Sequence, residues 1–291
     1  MNESDRPETR EIKRMNQTSW DYANEKFNSL KGDYEKAIRS GAEVLPPEVI
    51  NQLNPTESEE VLHLMCNDGR EAAYLSHEFD CRVWGIDFSS PAIEFAERIN
   101  EKLELDNQFI NENIFDWLST ADKNDFDKVL TTLGSIRWIY EKDQFFRLAR
   151  SQLRENGSML IWDFHPIVKC LDSDMKFAVD YPLDSYSFIR DEGVRDYVSS
   201  ESKYTLVSRN PDSDLSSYEN TNSVYFTHHS IPDLITSGLE NGFTLSSFEE
   251  YGFLWEEKYL PWLEEVSPRR YEAPDSTPQV PLTFVIKLEN S

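Results

Sequence analysis

An α/β fold built on a doubly wound, mostly parallel sheet is what this sequence predicts, and three observations carry it. Between residues 57 and 166, short apolar runs alternate with longer amphipathic segments, the pattern of parallel strands joined by crossover helices. The first run enters a tight turn with a single glycine, VLHLMCNDGREAAYLS, and passes straight into a helix. A clean strand, LTFVIKL at 282–288, returns only after that alternation has stopped. The 291 residues exceed the usual one-domain size and fall short of two, so one large domain with an elaboration is expected.

Residues 1–15, MNESDRPETREIKRM, are too polar to order themselves, and they lack the apolar stretch of a secretory signal. Order is expected from about Asn16, where Trp20, Tyr22 and Phe27 begin a stretch that can pack. Residues 16–56 read as N-terminal helices with a break at Pro46 and Pro47, after which EVINQL forms a short helix closed by Asn54-Pro55. Residues 57–166 hold five strands: Val61–Met65, Arg82–Ile86, Gln108–Asn111, Phe126–Thr132 and Ser158–Phe164. Between them, Ser90 reads as an N-cap with Pro91 at the first helical position, and Ile93, Ala96, Ile99 and Leu103 share one face. Asn156-Gly157 reads as the end of another helix.

After Pro166 the aromatics Phe177, Tyr181, Tyr186, Phe188, Tyr197 and Tyr204 lie among polar residues and turn signals. Residues 167–228 are read as an inserted cap of antiparallel strands and loops over the carboxyl edge of the sheet. Residues 229–291 bring a helix, IPDLITSGLENGF, ended by Asn241-Gly242, and the closing strands. The run LWEEKYLPWLEE is either a lid margin or, more simply, a packed amphipathic segment.

Charge narrows the function. The 54 acidic and 29 basic residues leave a net −25, a field that repels phosphate backbones and argues against nucleic acid as substrate. Adaptation to high salt and ordinary acidic composition both account for it. No apolar run approaches the roughly 20 residues of a bilayer crossing, so no membrane role is expected. Cys66, Cys81 and Cys170, odd in number and widely spaced, fit reduced thiols and a cytoplasmic location. No Cys, His or carboxylate cluster has metal-ligand spacing, so no metal is expected.

In doubly wound sheets a ligand lies beyond the carboxyl ends of the strands, where the winding reverses. Asp87 ends the second strand close to the roughly 20 residues after the turn glycine, here Gly69, at which an acid meets ribose hydroxyls. The pair points to an adenosine-containing cofactor. A dinucleotide needs G-x-G-x-x-G, whereas this turn reads C-N-D-G-R, and an acidic, glycine-poor turn suits a cationic ligand.

On these residues the chain resembles the class I S-adenosylmethionine-dependent methyltransferases from about Val61 to Asp163, more loosely beyond. The family turn runs close to D-L-G-C-G-x-G, from which HLMCNDG departs at His63, Met65 and Asn67. The likeness is nearest to a bacterial small-molecule subgroup with an HLxCxxG turn and a His-Pro after the fifth strand, here His165-Pro166. It implies a Rossmann-like seven-stranded sheet and S-adenosyl-L-methionine as cofactor. Cys66, Asn67 and Gly69 would surround the methionine part, Asp87 would hold the ribose diol and Phe88 would lie along the adenine. Asn113 would read the adenine amino group with Ile114 beside the ring, and the segment from Thr131 through Leu133 to Gly134 would lie under the reacting methyl.

The acceptor side has fewer markers. His165 is the first candidate for a catalytic base, with a structural histidine fixing the Pro166 turn as its rival. Of His228 and His229, adjacent on the chain, at most one reaches the pocket, and His229 is taken as substrate-facing. Trp20 and Tyr22 either line the acceptor pocket or anchor a helix; Tyr140, Tyr197 and Trp255 are weaker candidates of the same kind. The expected function is methyl transfer to a small molecule of unspecified acceptor atom. A cofactor-binding sensor without methyl transfer is the alternative, and a nicotinamide oxidoreductase is disfavoured by the missing glycines.

Overall fold

A computed structural model describes residues 6–28, 31–194, 218–255 and 260–291. Three helices lead the chain: α1 (Thr9–Asn28), α2 (Tyr34–Arg39) and α3 (Pro47–Leu53). α1 starts at Thr9, earlier than the expected onset at Asn16. Ile12, Asn16, Ser19, Ala23 and Phe27 form a buried stripe at helical spacing, which the flanking charges conceal in the sequence. Pro47 opens α3 where a missing N–H costs nothing.

The alternating core follows as β1 (Glu60–Leu64), α4 (Arg70–Phe79), β2 (Arg82–Asp87), α5 (Ser90–Leu103), β3 (Gln108–Asn111), α6 (Ile114–Thr120), β4 (Phe126–Thr131), α7 (Lys142–Gln152) and β5 (Leu153–Phe164). Then come β6 (Tyr186–Arg190), β7 (Val224–His228), α8 (Ile231–Glu240), β8 (Thr244–Tyr251), β9 (Phe253–Trp255), β10 (Glu264–Ser267), β11 (Arg270–Glu272) and β12 (Thr283–Glu289). The main sheet has seven strands in the order β3-β2-β1-β4-β5-β12-β8, with β12 antiparallel to both its neighbours. Strand order therefore reverses between β1 and β4, and the crevice opens at their carboxyl ends.

Side chains alternate across this sheet. Leu62 and Leu64 join α6, α7 and α8 through Phe115, Phe146 and Leu234 on one face. Val61 joins α2 to α5 through Ile38, Val49, Leu75 and Phe95 on the other. Both layers are built of buried apolar side chains.

Several expectations shift. Ser89, not Ser90, is the N-cap of α5, and the Ser90 hydroxyl donates to Asn111 Oδ1 at 2.7 Å. α7 ends at Gln152, and Asn156-Gly157 lies inside β5, where Asn156 takes φ 63° at a register shift against β4. A bulge and a helix end ask for the same residues. Two small antiparallel sheets are added, β6-β7 and β10-β11-β9, the latter built partly from the run read as one amphipathic segment. Tyr197 and Tyr204 lie outside the described residues. Among the described residues no helix is long and apolar enough to cross a membrane, and the three cysteines are free and buried.

Candidate functional site

The chain turns sharply after β1: Met65, Asn67 and Gly69 take φ of 57°, 47° and 71°. Gly69 is needed for more than its φ, because a Cβ there would stand 2.6 Å from Ala96 Cβ and 2.8 Å from the Phe109 ring. The turn thus brings α4 tight against α5 and β3. Asp87 braces it from the next strand: Oδ2 accepts from the Asn67 N–H at 2.9 Å and Oδ1 from the Ser89 N–H at 2.9 Å. Burial pushes the Asp87 carboxyl up to about 6, against the pull of those two N–H donors.

A cleft of about 160 Å³ lies beyond these strand ends. Its half nearest β1 and β2 is acidic, with Asp68, Glu71 and Asp87, and includes Cys66, Asn67 and Phe88. Asn67 Oδ1 is buried there and accepts no hydrogen bond. Burial raises the Cys66 thiol well above its usual value, so it stays neutral. Glu71, Asp87 and an open amide oxygen suit the ammonium, ribose hydroxyls and sulfonium of S-adenosylmethionine, with Asp68 taken by Lys31, and Arg70, also in this wall, suits its carboxylate. The residues present fit that cofactor.

The other half is aromatic and basic. Trp20, Trp138, Phe164 and Trp255 line it, together with Arg137, Lys169 and Arg190. Trp20 and Trp138 meet edge to face at 5.5 Å. The loop after β4 is held by Asp163, whose carboxylate accepts from the N–H groups of Gly134 at 2.9 Å, Ile136 at 2.8 Å and Phe164 at 2.6 Å.

A smaller chamber of about 60 Å³ shares Arg137, Phe164 and Lys169 with the cleft, and three histidines stand in its wall. His165 Nδ1 accepts the Ile167 N–H at 3.2 Å and Nε2 meets Glu250 Oε1 at 2.9 Å, so both nitrogens are engaged. A backbone N–H on Nδ1 places the proton on Nε2. Burial lowers the His165 pKa, and Glu250 opposes that. His229 differs. Its Nε2 meets the Ile139 carbonyl at 2.8 Å, which makes Nε2 the donor and leaves Nδ1 a buried acceptor with no partner. Burial lowers its pKa to about 4, so it is neutral at neutral pH.

Of the residues singled out in the sequence, Trp20, Cys66, Asn67, Asp87, Phe88, Leu133 and Trp255 line the main cleft, with Gly69 behind the turn. Others do not. Asn113 Oδ1 caps α6 by accepting the Phe115 N–H at 3.0 Å, and Ile114 is buried in the core beside α7. Thr131 is buried, and Thr132 lines the cleft in its place, 3.0 Å from His63 Nε2. Tyr22 is 45% exposed and stacks on Tyr218. Tyr140 packs on Phe115. His165 and His229 face the smaller chamber. Sequence reasoning missed Arg137, Lys169 and Arg190; the position of the first two just past β4 and β5 was the available signal.

A family model described as "Methyltransferase domain" matches residues 55–212, just over half of the chain. No curated protein matches. The fold is similar to the crystal structure of an S-adenosylmethionine dependent methyltransferase from Listeria monocytogenes, at 18% identity and TM-score 0.53 over 84% of this chain and 96% of that one. It is also similar to an S-adenosylmethionine dependent methyltransferase from Mesorhizobium loti, at 12% identity and TM-score 0.53 over the same shares. With the family match spanning the strands and turns that form the cleft, the chain belongs to the methyltransferase-domain family, class I in fold and with S-adenosyl-L-methionine as its cofactor.

Proposed function

We propose that this protein transfers a methyl group from S-adenosylmethionine to a small-molecule acceptor. The polarity of the cleft carries the reading: carboxylates and the open Asn67 amide oxygen at the β1 and β2 ends, aromatic and basic side chains opposite. Cys66 and Asn67, on the turn that Gly69 shapes, receive the methionine part, Asp87 the ribose diol and Phe88 one adenine face. Asn113 and Ile114 are not carried forward as adenine contacts, since the first caps α6 and the second packs into the core.

When bound, the cofactor would supply an electrophilic sulfonium methyl for an acceptor lone pair, with the carbon–sulfur electron pair staying on sulfur and the proton of an O–H or N–H acceptor leaving to solvent. The chain's own part is alignment and exclusion of water. Trp20, Trp138 and Phe164 wall the acceptor side. His229, in place of His165, takes the acceptor-facing role: its Nδ1 is fixed as an acceptor and orients an O–H or N–H group. His165 serves the turn, through Ile167 and Glu250.

Calorimetric titration with S-adenosylmethionine, S-adenosylhomocysteine and NAD, followed by S-adenosylhomocysteine release with candidate acceptors, tests this. Binding of the two adenosyl ligands alone, with turnover on an acceptor, supports methyl transfer. Binding without turnover on any acceptor makes the protein a sensor, and NAD binding overturns the cofactor assignment.

A further inference from the structure

We infer that the acceptor carries an oxyanion, a carboxylate or phosphate, seated by Arg137, Arg190 and Lys169. This rests on the methyl-transfer reading and names the chemical class of its acceptor. The three cations come from separate elements: the turn after β4, strand β6 and the turn after β5. They meet in one half of one cleft, in a chain whose net charge of −25 otherwise repels anions.

The convergence is close. The Arg137 and Arg190 guanidinium carbons stand 4.2 Å and 5.5 Å from the centre of the same ring, Phe226, which is 2% exposed. Lys169 Nζ lies 5.7 Å from the Phe164 ring, in the wall shared by cleft and chamber. Arg190 is oriented by the carbonyls of Glu192 at 2.8 Å and Gly193 at 2.9 Å, acceptors that carry no formal charge. Aromatic backing excludes water and strengthens each charge toward a ligand.

Asp68, Glu71 and Asp87 form the opposite half of the cleft. Among the described residues lining the smaller chamber the one carboxylate is Asp163, which accepts from three backbone N–H groups and whose charge Arg137 also meets. Both Arg137 and Lys169 act on His228, which burial chiefly, and then these charges, hold at about 4. The charges of Arg137 and Lys169 thus both reach the shared wall. Guanidinium pairs favour planar oxyanions, and anchoring such a group leaves the acceptor's nucleophilic end toward the acidic half.

The test is calorimetric titration of the protein, with and without S-adenosylhomocysteine, using sodium benzoate, phenyl phosphate and neutral benzamide in low-salt buffer. The expected result is millimolar or tighter binding of an anion and none of benzamide. Tighter benzoate binding assigns a carboxylate, and tighter phenyl phosphate binding a phosphate. Arg137→Gln and Arg190→Gln should each weaken the anion about ten-fold and leave S-adenosylhomocysteine within about two-fold, whereas Arg190→Lys retains part of the binding. Circular dichroism verifies that each variant is folded.

No anion binding by the folded protein, benzamide binding as tight as benzoate, or anion binding unchanged in both variants overturns the inference. So does an equal loss of S-adenosylhomocysteine, which would assign the cations to the cofactor. Failure of the methyl-transfer reading is seen separately, as anion binding without adenosyl binding or turnover.

Discussion

Lys31 Nζ lies 2.6 Å from Asp68 Oδ2, and each side chain is 1% exposed, so the segment after α1 is tied to the turn after β1 by an ion pair out of reach of water. Lys31 also stands 4.0 Å from the centre of the Phe95 ring and 4.8 Å from that of Phe27. Burial drives its pKa down to about 8, with Asp68 opposing the fall. Burial presses Asp68 upward, but Lys31 and Arg70 outweigh it and hold that carboxyl below its usual value. Removing Asp68 strands the buried Lys31 charge and removing Lys31 leaves Asp68 only Arg70 at 3.9 Å, and breaking such a buried pair costs about 3 to 5 kcal/mol. Lys31→Met and Asp68→Asn should each destabilise by roughly that much in urea denaturation, with the double variant less stable by well under the sum. Additive losses would mean that the pair is not coupled.

Asp87→Asn should weaken S-adenosylmethionine by about 1.5 to 3 kcal/mol, the worth of a charge-assisted hydrogen bond. Because burial raises Asp87 to about 6, acidification through that value neutralises it, and wild-type affinity should fall there while the variant's stays flat. The stability sign is opposite. A folded pKa above the unfolded 3.8 means that the native state takes up the proton first, so between about 6 and 3.8 acidification favours folding through this group. Asp163, also raised to about 6 by burial, acts in the same direction. Calorimetry across this range, with circular dichroism alongside, separates lost binding from lost structure.

The parallel core was legible because its strands are short apolar runs with turn residues between them, and β3 falls on the residues the pattern names, Gln108–Asn111. The places of Asp87 and the Gly69 turn were legible for the same reason: they depend on local spacing along one βαβ unit. Arg137, Lys169 and Arg190 were not, since three distant elements bring them together and no spacing records that. His165 and His229 look alike in sequence, and only their partners, Glu250 and the Ile139 carbonyl, tell them apart. Asn113 satisfies two readings, adenine contact and N-cap, because both need the same short polar side chain.

The histidines separate by experiment. His165→Ala should lower stability by about 1 kcal/mol, the net worth of a hydrogen bond whose partners, the Ile167 N–H and the exposed Glu250, can turn to water, and reduce turnover only in proportion to the folded fraction. His229→Ala should lower kcat at unchanged cofactor affinity. His229 lines the smaller chamber and its buried Nδ1 has no partner, so under the proposed role its loss is felt by the acceptor. The reverse pattern, with kcat falling in His165→Ala alone, would return the acceptor-facing role to His165.

Gly69→Ala tests whether the one turn glycine serves packing or conformation. The left-handed φ of 71° alone costs an alanine about 1 to 2 kcal/mol. The new methyl would also sit 2.6 Å from Ala96 Cβ and 2.8 Å from Phe109, and forcing apart a packed core adds about 1 to 3 kcal/mol. Urea denaturation should therefore show a loss of about 2 to 5 kcal/mol. Ala96→Gly in the same chain removes the nearest atom but leaves Phe109 and the backbone strain, so it should recover only part. Full recovery would mean that Ala96 alone sets the requirement, and no recovery that φ and Phe109 do. In either case cofactor affinity should fall with stability, because the displaced turn carries the Asn67 N–H that Asp87 holds.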